Sequence, residues 1–484
     1  MLNFPKLTPR CACLVLFASF LAADTAPAQM PVTVTFNPRQ PGAAIPTNFL
    51  GLSFEMQRVL AETNGYHYFS PDNQALIATF HTLGIKHLRV GGNTADRPTL
   101  PVPSVADVDQ LFTFAKAADI KVLYTLRLNQ GDPAAAAALA KYISQHYAAQ
   151  LDCFAIGNEP NVFSTNFDVY FAEWQRFAAV ITAPSNCPDA KFSGPGVSPG
   201  HEKWSARFAT NLASTGLLKY ISQHDYAGGD ARKVTNPEAA RDKILGTSME
   251  PHYAKFAATF VPAILTNGLP YRFEEANSFY DGGALDVSDT YAAALWALNY
   301  QWWWASHGMS GINFHTGDKV AARDTNKPCR YATFWTATNG YNLHPIGYAE
   351  KMFSLGSQGK LLPVVSTPLA DTNLNFAAFA VLGDDGNYYA TLINFSHAAT
   401  ATNYSVQLAI PQASGFIAGQ IIRLATPDGD VARKTGVTLG GAEILNDATW
   451  TGLWDKLDVS RAPLMVELPP ATAVVVKLTP ADQK

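Results

Sequence analysis

Charge is scarce in this chain. Asp, Glu, Lys and Arg together make up 15% of its 484 residues, against 48% hydrophobic side chains. That balance is globular and supplies material for a large core. Neither sign dominates: 35 basic and 39 acidic residues give a net charge of -4, which argues against a nucleic-acid or other polyanion partner. Cysteine is also rare, with five in all, and Cys11 and Cys13 belong to the extreme N-terminus. The remaining Cys153, Cys187 and Cys329 cannot make a disulfide scaffold, although an exported chain can close one bridge. Cys153 at the start of one expected strand and Cys187 just before the next are the candidate pair; two buried thiols are the alternative. There is no CxxC pair and no HExxH, so no metal site and no cofactor is expected. Beyond the N-terminus no apolar run is long enough to cross a membrane, and repeats, charged tails and low-complexity linkers are missing.

The N-terminus has its own pattern. Lys6 and Arg10 precede an apolar run from Cys11 to Ala23, and Ala26-Pro27-Ala28 fits a small-residue cleavage site. Residues 1–28 are therefore expected to be a secretory signal peptide, which places the mature chain outside the cytoplasm. A retained anchor is the alternative. Cleavage would remove Lys6, Arg10 and Asp24 and leave a net charge of -5.

From about residue 48 to 317, short apolar runs alternate with longer helical stretches. The strand candidates are 49–55, 86–91, 122–128, 153–158, 191–197, 220–226, 271–275 and 311–315. Helix-like segments such as 133–147, 169–181, 207–218 and 290–306 lie between them. Eight such alternations predict an α/β fold, a (β/α)8 barrel. After about residue 356 helical periodicity stops, and short runs rich in β-branched and aromatic residues follow, separated by turn residues such as Gly383-Asp384-Asp385-Gly386-Asn387. That texture predicts an all-β sandwich. Pro31–Phe36 alternates at period two ahead of the barrel and is expected to add a strand to the C-terminal sandwich. The expected organisation is thus a signal segment 1–28, an N-terminal strand 29–46, a barrel 47–355 and a sandwich 356–484.

Chemistry in such a barrel sits at the C-terminal ends of the strands. The first strand ends at Glu55. The second carries Arg89 and ends Gly91-Gly92-Asn93, with Asp96 just beyond. The fourth ends Asn158-Glu159-Pro160, the sixth carries His224-Asp225-Tyr226, the seventh ends Glu274-Glu275, and the eighth carries His315. Two glutamates on strands four and seven would face each other across the mouth. One could protonate a leaving oxygen while the other attacks, as a retaining glycosidase requires. Side chains alternate along a strand, so of Glu274 and Glu275 one is expected to face inward. Glu55 and Asp96 could bind substrate, or orient Arg89 or cap a helix. His315 could bind substrate or be a bonded core histidine. Tyr226 and Tyr253 are candidate pocket walls, although aromatics in an α/β barrel are more often core. Trp302-Trp303-Trp304 resembles a sugar platform, but consecutive helical residues point in different directions, so packing is the stronger reading.

These residues resemble a family. "GNEP" (157–160) with a glutamate on strand seven is similar to the clan A retaining barrel glycosidases. "EANSFYDGG" (275–283), "SDTYAAALWAL" (288–298), "LRVGGNTAD" (88–96) and "VTLGGAEI" (437–444) resemble glycoside hydrolase family 79, the β-glucuronidase and heparanase family. The resemblance covers nearly the whole chain after residue 28. It implies that Glu159 is the acid/base, Glu275 the nucleophile and Asn158 the partner of the sugar 2-hydroxyl. It places the sugar carboxylate near the Gly282-Gly283 amides and a tyrosine, Tyr280 or Tyr331, with Glu55, Asp96 and His315 on the other hydroxyls. Asp281 departs from the pattern, and a carboxylate facing the sugar acid would oppose it. The expected partner is a glucuronic-acid glycan or glycoside, cleaved from its end by a monomer that needs neither nucleic acid nor membrane. A neutral-sugar glycosidase and a non-catalytic sugar-binding barrel are the competing functions. Lys and Arg are scattered (Arg97, Arg272, Lys319, Arg323, Lys327, Arg330), with no cluster suited to gripping a long sulfated chain.

Overall fold

The computed structural model describes residues 1, 29–320, 327–368, 374–411 and 415–481. The segment expected to be a signal peptide lies, apart from Met1, outside the described residues, as does Arg323. Strand β1 is Gln29–Phe36. The barrel strands are β2 (Leu50–Glu55), β3 (His87–Gly91), β4 (Lys121–Leu126), β5 (Leu151–Ile156), β6 (Phe192–Val197), β7 (Leu218–Asp230), β8 (Tyr271–Tyr280) and β9 (Ile312–His315). They close in sequence order, every pair parallel. Around them lie α1 (Gln74–Leu83), α2 (Val105–Ala117), α3 (Pro133–Tyr147), α4 (Phe167–Ile181), α5 (Glu202–Leu212), α6 (Pro237–Leu245), α7 (Met249–Ala257), α8 (Val261–Thr266), α9 (Tyr291–Ser306) and α10 (Pro345–Gly356). Each expected barrel strand is present. No helix of the described residues is long and apolar enough to cross a membrane.

Two strands outrun their sequence limits. β7 and β8 continue past the barrel rim as a pair, with Gly229 opposite Phe279 and Asp230 opposite Tyr280. This ribbon carries Tyr280 over the mouth. β8 also holds an extra residue. Successive β7 residues Gln223 and His224 pair with Phe273 and Glu275, and Ile312 and Phe314 of β9 pair with Phe273 and Ala276. β7 skips Glu274, and β9 advances two residues while β8 advances three, which marks a β-bulge. Strict alternation therefore fails here. Glu274 and Glu275 both turn into the barrel, Glu274 against Ser193 on β6 and Glu275 against Arg89 on β3.

Short β10 (Phe334–Ala337) and β11 (Gly340–Leu343) form a hairpin before α10. The remaining strands are β12 (Gly359–Leu362), β13 (Val364–Pro368), β14 (Phe376–Gly383), β15 (Tyr388–Asn394), β16 (Asn403–Ala409), β17 (Phe416–Ala425), β18 (Thr438–Leu439), β19 (Asp455–Lys456), β20 (Leu464–Leu468) and β21 (Thr472–Pro480). They build two sheets: β13-β1-β16-β20, and β12-β14-β15-β21-β17-β18 with β19 paired to β17. β1 runs parallel to β16 and antiparallel to β13. Its period-two pattern points Val32, Val34 and Phe36 into a core shared with Leu392, Val406, Val466 and Val474.

α9 locks barrel and sandwich together. Fifteen of its residues, Tyr291–Ala305, are buried, as befits a helix apolar on every side. The Tyr291 hydroxyl donates to the carbonyls of Leu424 and Ala471 in the sandwich. Trp302 stacks on Phe379 of β14, Trp303 packs on Tyr253, and Trp304 meets Phe273 of β8. The tryptophans are packing residues, and Tyr253 is core behind them, not a pocket wall.

The expected cysteine bridge does not form. Cys153, Cys187 and Cys329 are all free and buried. Cys153 packs with Leu123, Ala155 and Tyr220, whereas Cys187 belongs to the main hydrophobic core and its sulfur contacts the Ser144 hydroxyl on α3. The two thiols lie in separate clusters.

Candidate active site

A cavity of about 400 Å³ opens at the C-terminal end of the barrel. Glu55, Asn93, Glu159, Tyr226, Glu275 and His315 line its floor side, and Tyr280, Asp281, Gly282, Lys319, Val320 and Tyr331 its outer side. Ser198, Pro199, Arg232, Thr316 and Cys329 complete it.

Glu159 stands beyond the end of β5. The strand stops at Ile156, and Pro160 opens a short helical turn, Pro160–Val162. Between them Glu159 adopts a left-handed backbone, φ 43° and ψ 56°, sparsely populated for a residue with a Cβ. Its amide donates to the Gly196 carbonyl on β6, which fixes the turn. The carboxylate is thereby presented at the rim, where its Oε1 lies 3.0 Å from His224 Nδ1.

Glu275 is gripped from two sides. Arg89 Nη1 donates to Oε2 at 2.8 Å, and the Tyr226 hydroxyl donates to Oε1 at 2.7 Å. The carboxylates of Glu159 and Glu275 approach within 4.8 Å, with His224 Nδ1 4.0 Å from Glu275. Burial alone would raise the Glu275 carboxyl. His315, His224, Arg89 and the Tyr226 hydrogen bond outweigh it and hold the group well below the usual carboxylate range. Tyr226 is correspondingly pushed well above the usual phenol value, by burial and then by the Glu275 charge.

His315 bridges two carboxylates, with Nδ1 3.8 Å from Glu275 and Nε2 3.7 Å from Glu55. Burial disfavours its cation, yet Glu275 and Glu55 raise its pKa above the ordinary value. Glu55 is held by the Thr94 amide and hydroxyl. Four carboxyls (Glu55, Glu159, Glu274, Glu275) thus meet three bases (Arg89, His224, His315). With all three bases cationic, one proton shared among the four carboxyls makes the cluster neutral, and neutrality is what a buried charge cluster requires. Glu159, His224 and Glu275 also offer the one group of three or more ligand atoms, among the described residues, close enough for a metal ion. Arg89 and Tyr226 already donate to Glu275, which suits acid–base work on a carboxylate pair better than a cation site.

Asp96, Asn158 and Gly283 do not line the cavity. Asp96 accepts from the amides of Leu128, Asn129 and Asn158, so it braces strand ends. Asn158 Oδ1 accepts from Arg89 Nη2 at 2.6 Å, and its Nδ2 lies 3.4 Å from Asn93 Oδ1. Asn93 is the amide that reaches the cavity wall. Gly283, at φ +87°, packs where a Cβ would meet the Tyr331 amide at 2.7 Å. Gly282 does line the cavity.

The Asp281 charge is answered. Lys327 Nζ donates to its carboxylate at 2.7 Å. Asp230, at the end of the β7 ribbon, takes Arg232 in a two-pronged pair and also hydrogen-bonds Tyr280. Lys319 lines the cavity with no ion-pair partner among the described residues. The sequence offered no signal for the linings Ser198 and Arg232, which arrive on loops, and named Lys319 only as one of several scattered basic residues. His224 and Arg89 were visible only as strand-end residues.

No family model matches the chain. A β-glucuronidase from Neurospora crassa is 26% identical over 195 residues, covering 35% of this chain and 34% of that protein. One from Aspergillus niger is 22% identical over 187 residues, 35% of each chain. The matches thus span about a third of the relatives' length. Among solved structures, a 4-O-α-L-rhamnosyl-β-D-glucuronidase from Fusarium oxysporum superposes with a TM-score of 0.70 over 92% of this chain and 100% of that one, at 19% identity. A GH51 arabinofuranosidase from Xanthomonas axonopodis pv. citri gives 0.68 over 93% and 100%, at 16% identity. At such identities the likeness is one of fold: this chain shares the barrel-and-sandwich architecture of clan A glycoside hydrolases.

Proposed function

We propose that the chain is a retaining, exo-acting β-glucuronidase of glycoside hydrolase family 79. The observation that carries the reaction class is the approach of the Glu159 and Glu275 carboxylates to within 4.8 Å. Retaining glycosidases work with carboxyls about 5–5.5 Å apart, while inverting ones need about 6.5–9.5 Å to admit a water. Glu275, kept anionic by Arg89 and Tyr226, attacks the anomeric carbon and forms a glycosyl ester. Glu159 protonates the departing oxygen and then draws a proton from the water that hydrolyses the ester. Asn93, with Asn158 behind it, faces the sugar hydroxyls, and Glu55 and His315 hold those farther round the ring.

The glucuronide reading rests on the two β-glucuronidase relatives and on the outer wall of the cavity. There the Gly282 backbone, Tyr280 and Tyr331 lie beside Lys319, a cation with no ion-pair partner among the described residues, while the Asp281 and Arg232 charges are each neutralised by a neighbour. A cavity of about 400 Å³ suits one terminal sugar more than a long chain. Export after cleavage at Ala28, and action as a monomer, are part of the same proposal.

The test is a panel of p-nitrophenyl β-glycosides: glucuronide, glucoside, galactoside and xyloside. Preference for the glucuronide, with the β-anomer of glucuronic acid as first product by proton NMR, is expected. A preferred neutral sugar overturns the substrate, an α-anomer overturns the mechanism, and no release from any member overturns catalysis. Digestion of heparan sulfate to mid-length fragments without free glucuronic acid would overturn the exo mode.

A further inference from the structure

His224 lies between three carboxylates, and the reaction uses only two of them. The third is Glu274, fully buried and with no role in the proposed chemistry. Two features of the backbone accommodate it. The bulge in β8 turns it into the barrel beside Glu275. Across from it, Gly196 on β6 has φ +62°, and a Cβ there would stand 2.2 Å from Glu274 Oε1, so only glycine leaves room for the carboxylate.

Glu274 Oε2 accepts from the Ser193 hydroxyl at 3.2 Å. Its Oε1 and His224 Nε2 have no hydrogen-bond partner among the described residues, and they face each other at 3.6 Å. Such a pair is tolerable in a buried site as an ion pair, not as two unmatched neutral groups. On its other nitrogen His224 meets Glu159 at 3.0 Å. If His224 were neutral with its proton on Nε2, Nδ1 would accept the Glu159 proton and hold it away from substrate. If both nitrogens carry protons, Nδ1 donates to Glu159, and the proton on Glu159 is free to point at the leaving oxygen.

We infer that Glu274 is a positioning residue that keeps His224 doubly protonated, so that Glu159 can deliver its proton to the glycosidic oxygen. The inference rests on the acid role proposed above for Glu159. Three further observations agree. The charged groups facing His224 are Glu159 after β5 and Glu274 and Glu275 on β8, while Arg89 on β3 and His315 on β9 lie on the far side of Glu275. Burial would strip the imidazolium of its proton, but Glu275, Glu159 and Glu274 together raise it to about 9. Charge counting gives the same answer. Without the Glu274 charge, the three remaining carboxyls and three bases are neutral only with one proton fewer, taken from His224 or from Glu159, and either loss disarms the acid.

The test is Glu274→Gln in the full chain, which keeps the side-chain shape. Nitrogen-15 histidine NMR reads the His224 ring directly, with no substrate present. In the wild type both ring protons should persist well above neutral pH. In the variant they should be lost at a pH lower by about one unit or more, the usual effect of an opposite charge at this range. The alkaline limb of kcat/KM on a poorly activated glycoside should move the same way, with activity recovering toward acid pH. Glu274→Asp should restore part of both shifts. A His224 ring that is neutral at pH 7 in the wild type, or a variant whose profile falls evenly with its limb unmoved, overturns the inference. Should no glycoside be turned over at all, the NMR titration still decides the His224–Glu274 pairing, separately from the proposed function.

Discussion

Tyr226→Phe removes one oxygen, and the structure says what that oxygen does. It donates 2.7 Å to Oε1 of Glu275 from a buried position. A hydrogen bond to a charged group contributes roughly 1.5–3 kcal/mol. The bond is strongest when Glu275 is an anion and weak when it is a neutral glycosyl ester. Its loss therefore bears on the step that regenerates the anion, hydrolysis of the ester. In that step the carboxylate is the leaving group, and 1.5–3 kcal/mol corresponds to about 10- to 150-fold in rate. Formation of the ester should suffer less, because a less stabilised carboxylate is also a better nucleophile. With an aryl glucuronide of good leaving group, the variant should show a burst of phenol followed by slow turnover. Intact mass should show the sugar ester on the enzyme. The carboxyl, freed of one donor, should also lose its charge at a higher pH, which moves the acid limb of kcat/KM upward. Equal loss in kcat and kcat/KM, with no burst and no trapped ester, would refute the reasoning and make Tyr226 a substrate-positioning group instead.

Glu275→Gln should abolish turnover of every glycoside, whereas Glu159→Ala should spare those with activated leaving groups far more, as a leaving-group series would show. Lys319→Met should lower kcat/KM on an aryl glucuronide by a few-fold, leave a glucoside untouched and lose its effect in high salt, since this lysine is exposed at the rim. His87, at the opposite end of the barrel, donates through Nε2 to Asp152 and accepts from Asn313 at Nδ1, so only its neutral form fits; burial first, then Arg272, lower it to about 4. A depressed folded value means stability present above the unfolded value of about 6.5 and lost as pH falls toward 4, roughly 3 kcal/mol, and melting curves of His87→Gln should be flatter across that window. Secreted material should begin at residue 29 by intact mass.

How much was legible depended on periodicity. The eight barrel strands and the longer sandwich strands announced themselves, because a strand buried on both faces must be an apolar run and a half-buried one must alternate, whereas β12, β13, β18 and β19 were not read. β1 was read in this way from Val32, Val34 and Phe36. The limits of β7 and β8 were not, because their extensions are buried with polar and glycine residues such as Asn277, Ser278 and Gly228 and so show neither an apolar run nor an alternation. Asp96 was a candidate substrate ligand from its place just past a strand end, and Asn158 became one through the family resemblance. A strand-end position does not distinguish a side chain facing the cavity from one bracing the loop beside it. Cys153 and Cys187 are close to neighbouring strands in sequence, yet their side chains leave the sheet into separate clusters.

By itself the sequence determined the class of fold and the candidate pair Glu159 and Glu275, since each is written in local order: a hydrophobic period, and a polar residue where an apolar run stops. Tertiary structure alone decided what surrounds those glutamates. Glu274 and Glu275 share one side of β8 because its neighbours β7 and β9 skip a residue, which no alternation rule for a single strand can foresee. The distance between Glu159 and Glu275, and the charge on His224 between them, follow from closure of the barrel. Closure sets residues 116 positions apart within a few ångströms, and electrostatics at that range answers to separation in space, not along the chain.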